Sequence, residues 1–427
     1  MSGGQGPLAD RYPVRRLTAP VEADVVLPGS KSITNRALIC AALAKGTSQL
    51  NGALFADDTW AMIGALTSLG INVTADEQAA RITVEGCAGA LPQQAAELSV
   101  NQSGTTARFV VPVAALGNQP VLVDAHLQMR NRPMADQFRS LEQLGASVEE
   151  LGEPGRLPAR ICGPIVGHEV SLPGDATSQY VSGLMLAGGV NGLTVSLTNE
   201  PVSKPYLEMT AAVMASFGAS VTNQDDRSWT VGGGYRSCDY QIEPDASAAS
   251  YMLAAAAISG GRVRVLGLTR DSLQGDVAFV DVLAQMGCTV RYDADGVEVS
   301  GRASSGISVD LADLSDTAPT LAVVAAFADS PTEVTGIGFI RQKESDRLAG
   351  PVAELRRAGV DAEETDDGFI VRPHRGPGPA TFETYDDHRM AMAFALIGLM
   401  VDGVAIRDPG CVAKTFPNYF AVLEQLG

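Results

Sequence analysis

Basic side chains recur where apolar segments of this chain begin. Residues 27–39, LPGSKSITNRALI, place a Pro-Gly turn and a capping serine, Ser30 or Ser32, beside Lys31 and Arg36, and predict a helix from about Thr34. Backbone N–H groups at a helix start favour an anion, and the two cations strengthen that pull. In NQSGTTARF, residues 101–109, Gly104 lets the backbone approach a ligand, Thr105 can cap and Arg108 adds charge. Arg130 and Arg132 flank a loop ending at Pro133, a pairing suited to bidentate recognition of carboxylate or phosphate. Thr177, Ser178 and Gln179 open another apolar run and can bond a phosphate or a sugar-like hydroxyl; Ser203, Lys204 and Tyr206 follow. Asp316 heads a fifth run as a possible cap, and Lys343 and Arg347 stand four apart on one expected helix face with Glu344 beside them. Asp386 is the expected cap ahead of His388 and Arg389, and Lys414 closes the set. This chemistry is anion binding, with Asp316 and Glu344 available to move protons.

A repeat must position these residues. Small-residue apolar helix patterns end at Gly46, Gly117, Gly188, Gly260, Ser330 and Gly403, at intervals of 71, 71, 72, 70 and 73 residues. A second, amphipathic series ends at Gly70, Gly145, Gly218, Gly287, Gly359 and Gly427, at intervals of 75, 73, 69, 72 and 68. The two series predict six copies of one unit of two helices and several strands, the first helix buried and the second at the surface, with glycine C-caps. Two closed threefold groups are favoured over an open solenoid, because each copy carries its own buried helix. The boundary falls near residues 242–250. The sixth copy ends without a final strand, so a strand before Pro28 is expected to complete it. The domains are therefore 1–28 with 245–427, and an inserted domain, 29–244. Three polar helix openings from each half would then meet in a shared cleft.

Composition narrows the partners. The 427 residues carry 31 Lys+Arg against 49 Asp+Glu, a net charge of −18, which argues against nucleic acid and anionic membranes but not against a small anion held in one site. Residues 1–16 hold no apolar core of leader length, and no run has the length of a membrane span. Six scattered cysteines without a CxxC pair suit buried thiols in a reducing cytoplasm, and four dispersed histidines predict no metal site.

The segments PGSKSITNRAL, SGTTAR, KPY, KESDRL, DDHRMAM and AKTFP, in this order, resemble the enolpyruvyl transferases over essentially the whole chain after Tyr12. The resemblance implies an α/β fold of two domains, each of three βαβαββ units arranged as an inside-out α/β barrel with buried helices. It implies transfer of the enolpyruvyl group of phosphoenolpyruvate to the 5-hydroxyl of shikimate 3-phosphate by addition–elimination, in a cytoplasmic monomer with no cofactor and no metal. By motif, Lys31, Ser32, Arg36, Thr177, Ser178, Gln179, Ser203, Tyr206, Asp316 and Lys343 would bind shikimate 3-phosphate. Lys31, Gly104, Arg130, Gln179, Arg347, Arg389 and Lys414 would bind phosphoenolpyruvate, and Lys31, Asp316, Glu344 and Lys414 would be catalytic. Repulsion between basic clusters would hold the empty domains apart until both anions bind. Departures from the common pattern stand at Asn101, Gln102, Phe109, Thr177 and Phe339, while Gly104 leaves the room that sensitivity to glyphosate requires. The alternatives are a relative acting on another phosphorylated cyclitol or on UDP-N-acetylglucosamine, although residues 126–133 lack the loop cysteine common in the latter group. A non-catalytic anion-binding repeat protein would need neither Asp316 nor Glu344.

Overall fold

A computed structural model describes residues 10–92 and 96–427, so the first nine residues of the expected 1–28 segment lie outside the described part. The helices follow the repeat. Copies one to three contain α1 (Lys31–Leu43) and α2 (Asp57–Ser68); α3 (Gly104–Ala114), the short α4 (Leu127–Arg130) and α5 (Ala135–Gln143); and α6 (Ser178–Gly188) and α7 (Pro205–Ser216). Copies four to six contain α8 (Ala246–Ser259) and α9 (Phe279–Gln285); α10 (Ala318–Ala325) and α11 (Ala349–Arg357); and α12 (His388–Met400) and α13 (Tyr419–Glu424). The chain divides into two compact units, 28–243 and 1–27 with 244–427.

Within each unit the first helices of the copies touch one another, α1, α3 and α6 in one and α8, α10 and α12 in the other. Their composition explains this placement. Ala254, Ala255, Ala256 and Ala257 of α8 are fully buried, as a helix enclosed on every side requires. On α6, a Cβ at Gly183 would stand 2.1 Å from the carbonyl oxygen of Arg108 on α3, so only glycine permits that helix contact. Gly260 ends α8 in the left-handed conformation, as its position suggests, but Gly188 remains inside α6 and Gly46 lies within a strand.

Small sheets surround each helix trio. The typical sheet has four strands: a parallel pair formed across the first helix, then two antiparallel strands, as in 96–99, 121–124, 159–162 and 147–150. The chain ends modify this plan. Arg11–Pro13 pairs antiparallel with Ala405–Arg407 and supplies the last strand of the sixth sheet. A second N-terminal strand, Glu22–Val25, which the sequence did not suggest, pairs parallel with Arg262–Leu266 and supplies the first strand of the fourth sheet. Asp239–Gln241 plays the same part for the first sheet beside Lys45–Asn51. Cys40 and Cys288 are buried and the other four free thiols half-buried, so burial is less general than the composition implied. Among the described residues no helix is long and apolar enough to cross a membrane.

Candidate active site

In the 28–243 unit the candidates collect at the heads of α1, α3 and α6. Ser30 caps α1, its Oγ accepting from the Ile33 N–H at 3.4 Å, so the helix begins at Lys31 rather than near Thr34. Lys31 and Ser32 therefore sit in its first turn. Lys31 Nζ lies 3.5 Å from Oδ2 of Asp58, a buried carboxylate at the start of α2 that sequence patterning missed. Ser103, not Thr105, caps α3, because its Oγ accepts from the Thr106 N–H at 3.1 Å. Gly104 follows, where a Cβ would fall 2.4 Å from Arg132 Nη1 and 2.9 Å from Arg108 Nη1. Arg108 donates to Gln179 Oε1 at 2.7 Å, and Gln179 Nε2 donates to Thr105 Oγ1 at 3.2 Å, tying the heads of α3 and α6 together.

The two arginines of this loop are placed differently. Arg130 ends α4 half-exposed, in a two-bond pair with Asp124 at 2.8 and 2.6 Å that holds the Asp124 carboxyl below the usual carboxylate range. Arg132 is buried and is the arginine that lies against Gly104. Two residues of sequence spacing cannot separate these cases, since the turn after α4 decides which guanidinium points inward. Arg36 is also buried, donating to Thr210 Oγ1 at 2.7 Å and the Ser32 carbonyl at 2.9 Å, with the rings of Phe109 and Tyr206 against it. Burial lowers its pKa to about 10, which still leaves it cationic at neutral pH. Thr177 caps α6, Ser178 and Ser203 are buried, and Ser203 adopts a positive φ of 53° just before α7. The left-handed φ of 47° at Asn101 suits an asparagine, which accounts for one departure from the common pattern.

The 1–27 and 244–427 unit holds a tighter charge cluster at the heads of α10 and α12. Asp316 is not a helix cap. It lies in the 3₁₀ turn before α10, and its Oδ1 and Oδ2 accept from Arg347 Nη1 at 3.1 Å and Arg389 Nη2 at 2.5 Å. Arg347 is 1% exposed, and its Nε and Nη2 also reach Asp387 at 2.8 and 3.1 Å while Nη2 reaches Glu344 at 2.8 Å. Burial opposes its charge, but these carboxylates raise the pKa of Arg347 above the ordinary value. Lys414 Nζ stands 3.7 Å from Glu344 Oε1. Asp387 caps α12 through the Arg389 N–H at 2.9 Å, in place of the expected Asp386, which is exposed with φ 53°. Lys343 and Arg347 do not share a helix face, because residues 343–348 are non-helical. Asp346 Oδ1 accepts the N–H groups of Leu348 and Ala349 at 3.0 Å, and Ser345 Oγ donates to Asp387. Such side-chain bonds compete with helix continuation. Lys343 instead rests its Nζ 5.9 Å from the centre of the Phe339 ring.

Four of these cations lie beside carboxylates. Lys31 meets Asp58, and Arg347, Arg389 and Lys414 meet Asp316, Glu344 and Asp387. The premise of unbalanced basic clusters is accordingly revised at these four cations, whereas Arg36 rests on hydroxyl and carbonyl oxygens. Buried guanidiniums beside ionisable carboxyls can hold an anion while a proton moves nearby.

Two threefold sets of βαβαββ copies around buried helices constitute the enolpyruvyl transferase fold. NikO of Streptomyces tendae, an enolpyruvyl transferase 18% identical, superposes with a TM-score of 0.76 over 98% of this chain and 97% of its own. The EPSP synthase of Acinetobacter baumannii, 26% identical, does so with a TM-score of 0.81 over 98% of both chains. The profile of the EPSP synthase (3-phosphoshikimate 1-carboxyvinyltransferase) family matches residues 16–423. A 3-phosphoshikimate 1-carboxyvinyltransferase of Nostoc punctiforme is 44% identical over 98% of this chain and 99% of its own length. That of Proteus mirabilis is 39% identical over 95% and 96%. The chain belongs to the EPSP synthase family.

Proposed function

We propose that this chain transfers the enolpyruvyl group of phosphoenolpyruvate to the 5-hydroxyl of shikimate 3-phosphate, releasing phosphate. The hydroxyl oxygen bonds to C2 of phosphoenolpyruvate and loses its proton, while the methylene carbon gains one. The tetrahedral adduct then breaks its C2–O bond to phosphate as a proton leaves the methyl group. The observation that carries this reading is the Arg347–Asp316–Arg389 bridge with Glu344 and Lys414 beside it: two buried guanidiniums for an anion and two carboxylates for protons.

Arg347, Arg389 and Lys414, with Lys31, Gly104, Arg132 and Gln179, bind phosphoenolpyruvate. Lys31, Ser32, Arg36, Thr177, Ser178, Gln179, Ser203, Tyr206, Asp316 and Lys343 bind shikimate 3-phosphate. Asp316 accepts the hydroxyl proton once an anion has taken its place on the arginines, and Glu344 and Lys414 serve the carbon centre. The enzyme works in the cytoplasm as a monomer, and sedimentation of the purified chain checks the monomeric state. Mixing both substrates should release phosphate and an enolpyruvyl product, and absence of either product would sink the reading. Asp316→Ala should keep both substrates bound while losing turnover; lost binding with normal turnover at saturation would remove its role as base.

A further inference from the structure

A carboxyl that the proposed reaction does not use stands behind Arg389. Asp276, 4% exposed, lies in the 3₁₀ turn Gly275–Ala278. Its neighbour Gln274 fastens that turn to the head of α8, accepting from the Ala246 N–H at 3.0 Å and donating to the Pro244 carbonyl at 2.7 Å. Ser247 donates its hydroxyl hydrogen to Asp276 Oδ2. The same Ser247 oxygen accepts from Arg389 Nη2 at 3.4 Å, and Arg389 Nη1 reaches the Tyr251 hydroxyl at 3.5 Å. A hydroxyl has one hydrogen to give. With that hydrogen committed to Asp276, a lone pair of Ser247 must face the guanidinium, which is then held between Ser247 and Asp316.

We propose that Asp276 is a positioning residue: acting through Ser247, it orients the Arg389 guanidinium to receive the anionic group of phosphoenolpyruvate. This rests on the reading above that Arg389 binds that substrate. The charged groups facing Asp276 are Asp245 at the head of α8, Asp316 before α10 and Arg389 on α12. Burial first, then the charges of Asp316 and Asp245, push its pKa up to about 6, against the opposing pull of Arg389 and the Ser247 bond. Retaining a carboxyl at such a cost fits a group kept for its hydrogen bond.

Steady-state kinetics on both substrates tests the proposal. Asp276→Ala and Ser247→Ala should each raise KM for phosphoenolpyruvate about tenfold, the scale of one hydrogen bond to a charged group. KM for shikimate 3-phosphate should stay unchanged. Because both act along one path, the double variant should be no worse than Asp276→Ala alone. Asp276→Asn keeps an acceptor for Ser247 and should restore KM, while removing the contribution to its pH dependence that titrates near pH 6 in the unsubstituted chain. An unchanged KM in Asp276→Ala, equal rises for both substrates, or multiplying effects in the double variant would each overturn the proposal. No turnover by the unsubstituted chain would instead count against the assigned reaction. The local link is then decided by carbon NMR of the Asp276 carboxyl, identified by its loss in Asp276→Asn. Arg389→Met should move its titration upward, and an unmoved midpoint refutes the link.

Discussion

At Gly104 a missing methyl group sets how closely two guanidiniums approach the head of a helix. A Cβ there would lie 2.4 Å from Arg132 Nη1, so Gly104→Ala must displace that guanidinium. We expect KM for phosphoenolpyruvate to rise by about tenfold or more, with KM for shikimate 3-phosphate nearly unchanged, in steady-state assays. The unsubstituted chain should lose activity in millimolar glyphosate; undiminished activity would contradict the space expected at this position. Asp276 gives a second expectation. Its pKa of about 6 in the folded chain, against 3.8 ordinarily, means that protonation favours folding. The stabilisation is complete below the ordinary value and is lost as pH rises through the folded one. The ionised carboxyl then costs about 3 kcal/mol. Asp276→Asn should therefore raise the melting temperature at pH 8 and leave it nearly unchanged at pH 4, read by calorimetry. Equal shifts at both pH values would show that its charge is not a burden on the fold.

At the scale of elements, the buried helices were legible because their residues are small and apolar on every side, and α1, α3, α6, α8, α10 and α12 all occupy the places that the repeat assigned. Helix starts were read less well. Ser30, Ser103 and Asp387 are the caps, where the sequence offered Ser30 or Ser32, Thr105 and Asp386. Neighbouring polar residues are chemically equivalent as caps, and only the incoming loop selects one. The Lys343–Arg347 segment failed as a helix for a related reason, since Asp346 Oδ1 takes the Leu348 and Ala349 N–H groups that a continuing helix would bond to its own carbonyls. The α3–α6 contact rests on Gly183. Gly183→Ala drives a methyl group against the Arg108 carbonyl, 2.1 Å away, and should cost about 1–3 kcal/mol in urea denaturation. Because Arg108 holds Gln179, the same substitution should also weaken phosphoenolpyruvate binding.

At the scale of the molecule, the strand exchange makes the two units unequal. Residues 28–243 contain every strand of their three sheets, including Asp239–Gln241, whereas 244–427 borrows Arg11–Pro13 and Glu22–Val25 from the N-terminus. Expressed alone, 28–243 should give the dispersed proton–nitrogen NMR spectrum of a folded protein, and 244–427 should not. A folded 244–427 fragment would mean that the borrowed strands are dispensable. The charge balance also takes a more specific meaning. A net −18 left the cations free, on paper, to gather around an anion. In the structure Lys31, Arg347, Arg389 and Lys414 each have a carboxylate at hand, so part of the acidic excess balances the cations at the helix heads.

By itself the sequence determined the sixfold repeat, the buried helices, the polar openings and the family resemblance, because these depend on residue type and period. Tertiary structure alone decided that Arg132 rather than Arg130 lies against Gly104, that Asp387 rather than Asp386 joins Arg347, and that Asp316 bridges two arginines instead of capping a helix. The first two turn on which of two similar side chains a loop delivers inward, and the third on where the turn before α10 aims one carboxylate. That direction is set by packing and hydrogen bonds from segments distant in the chain.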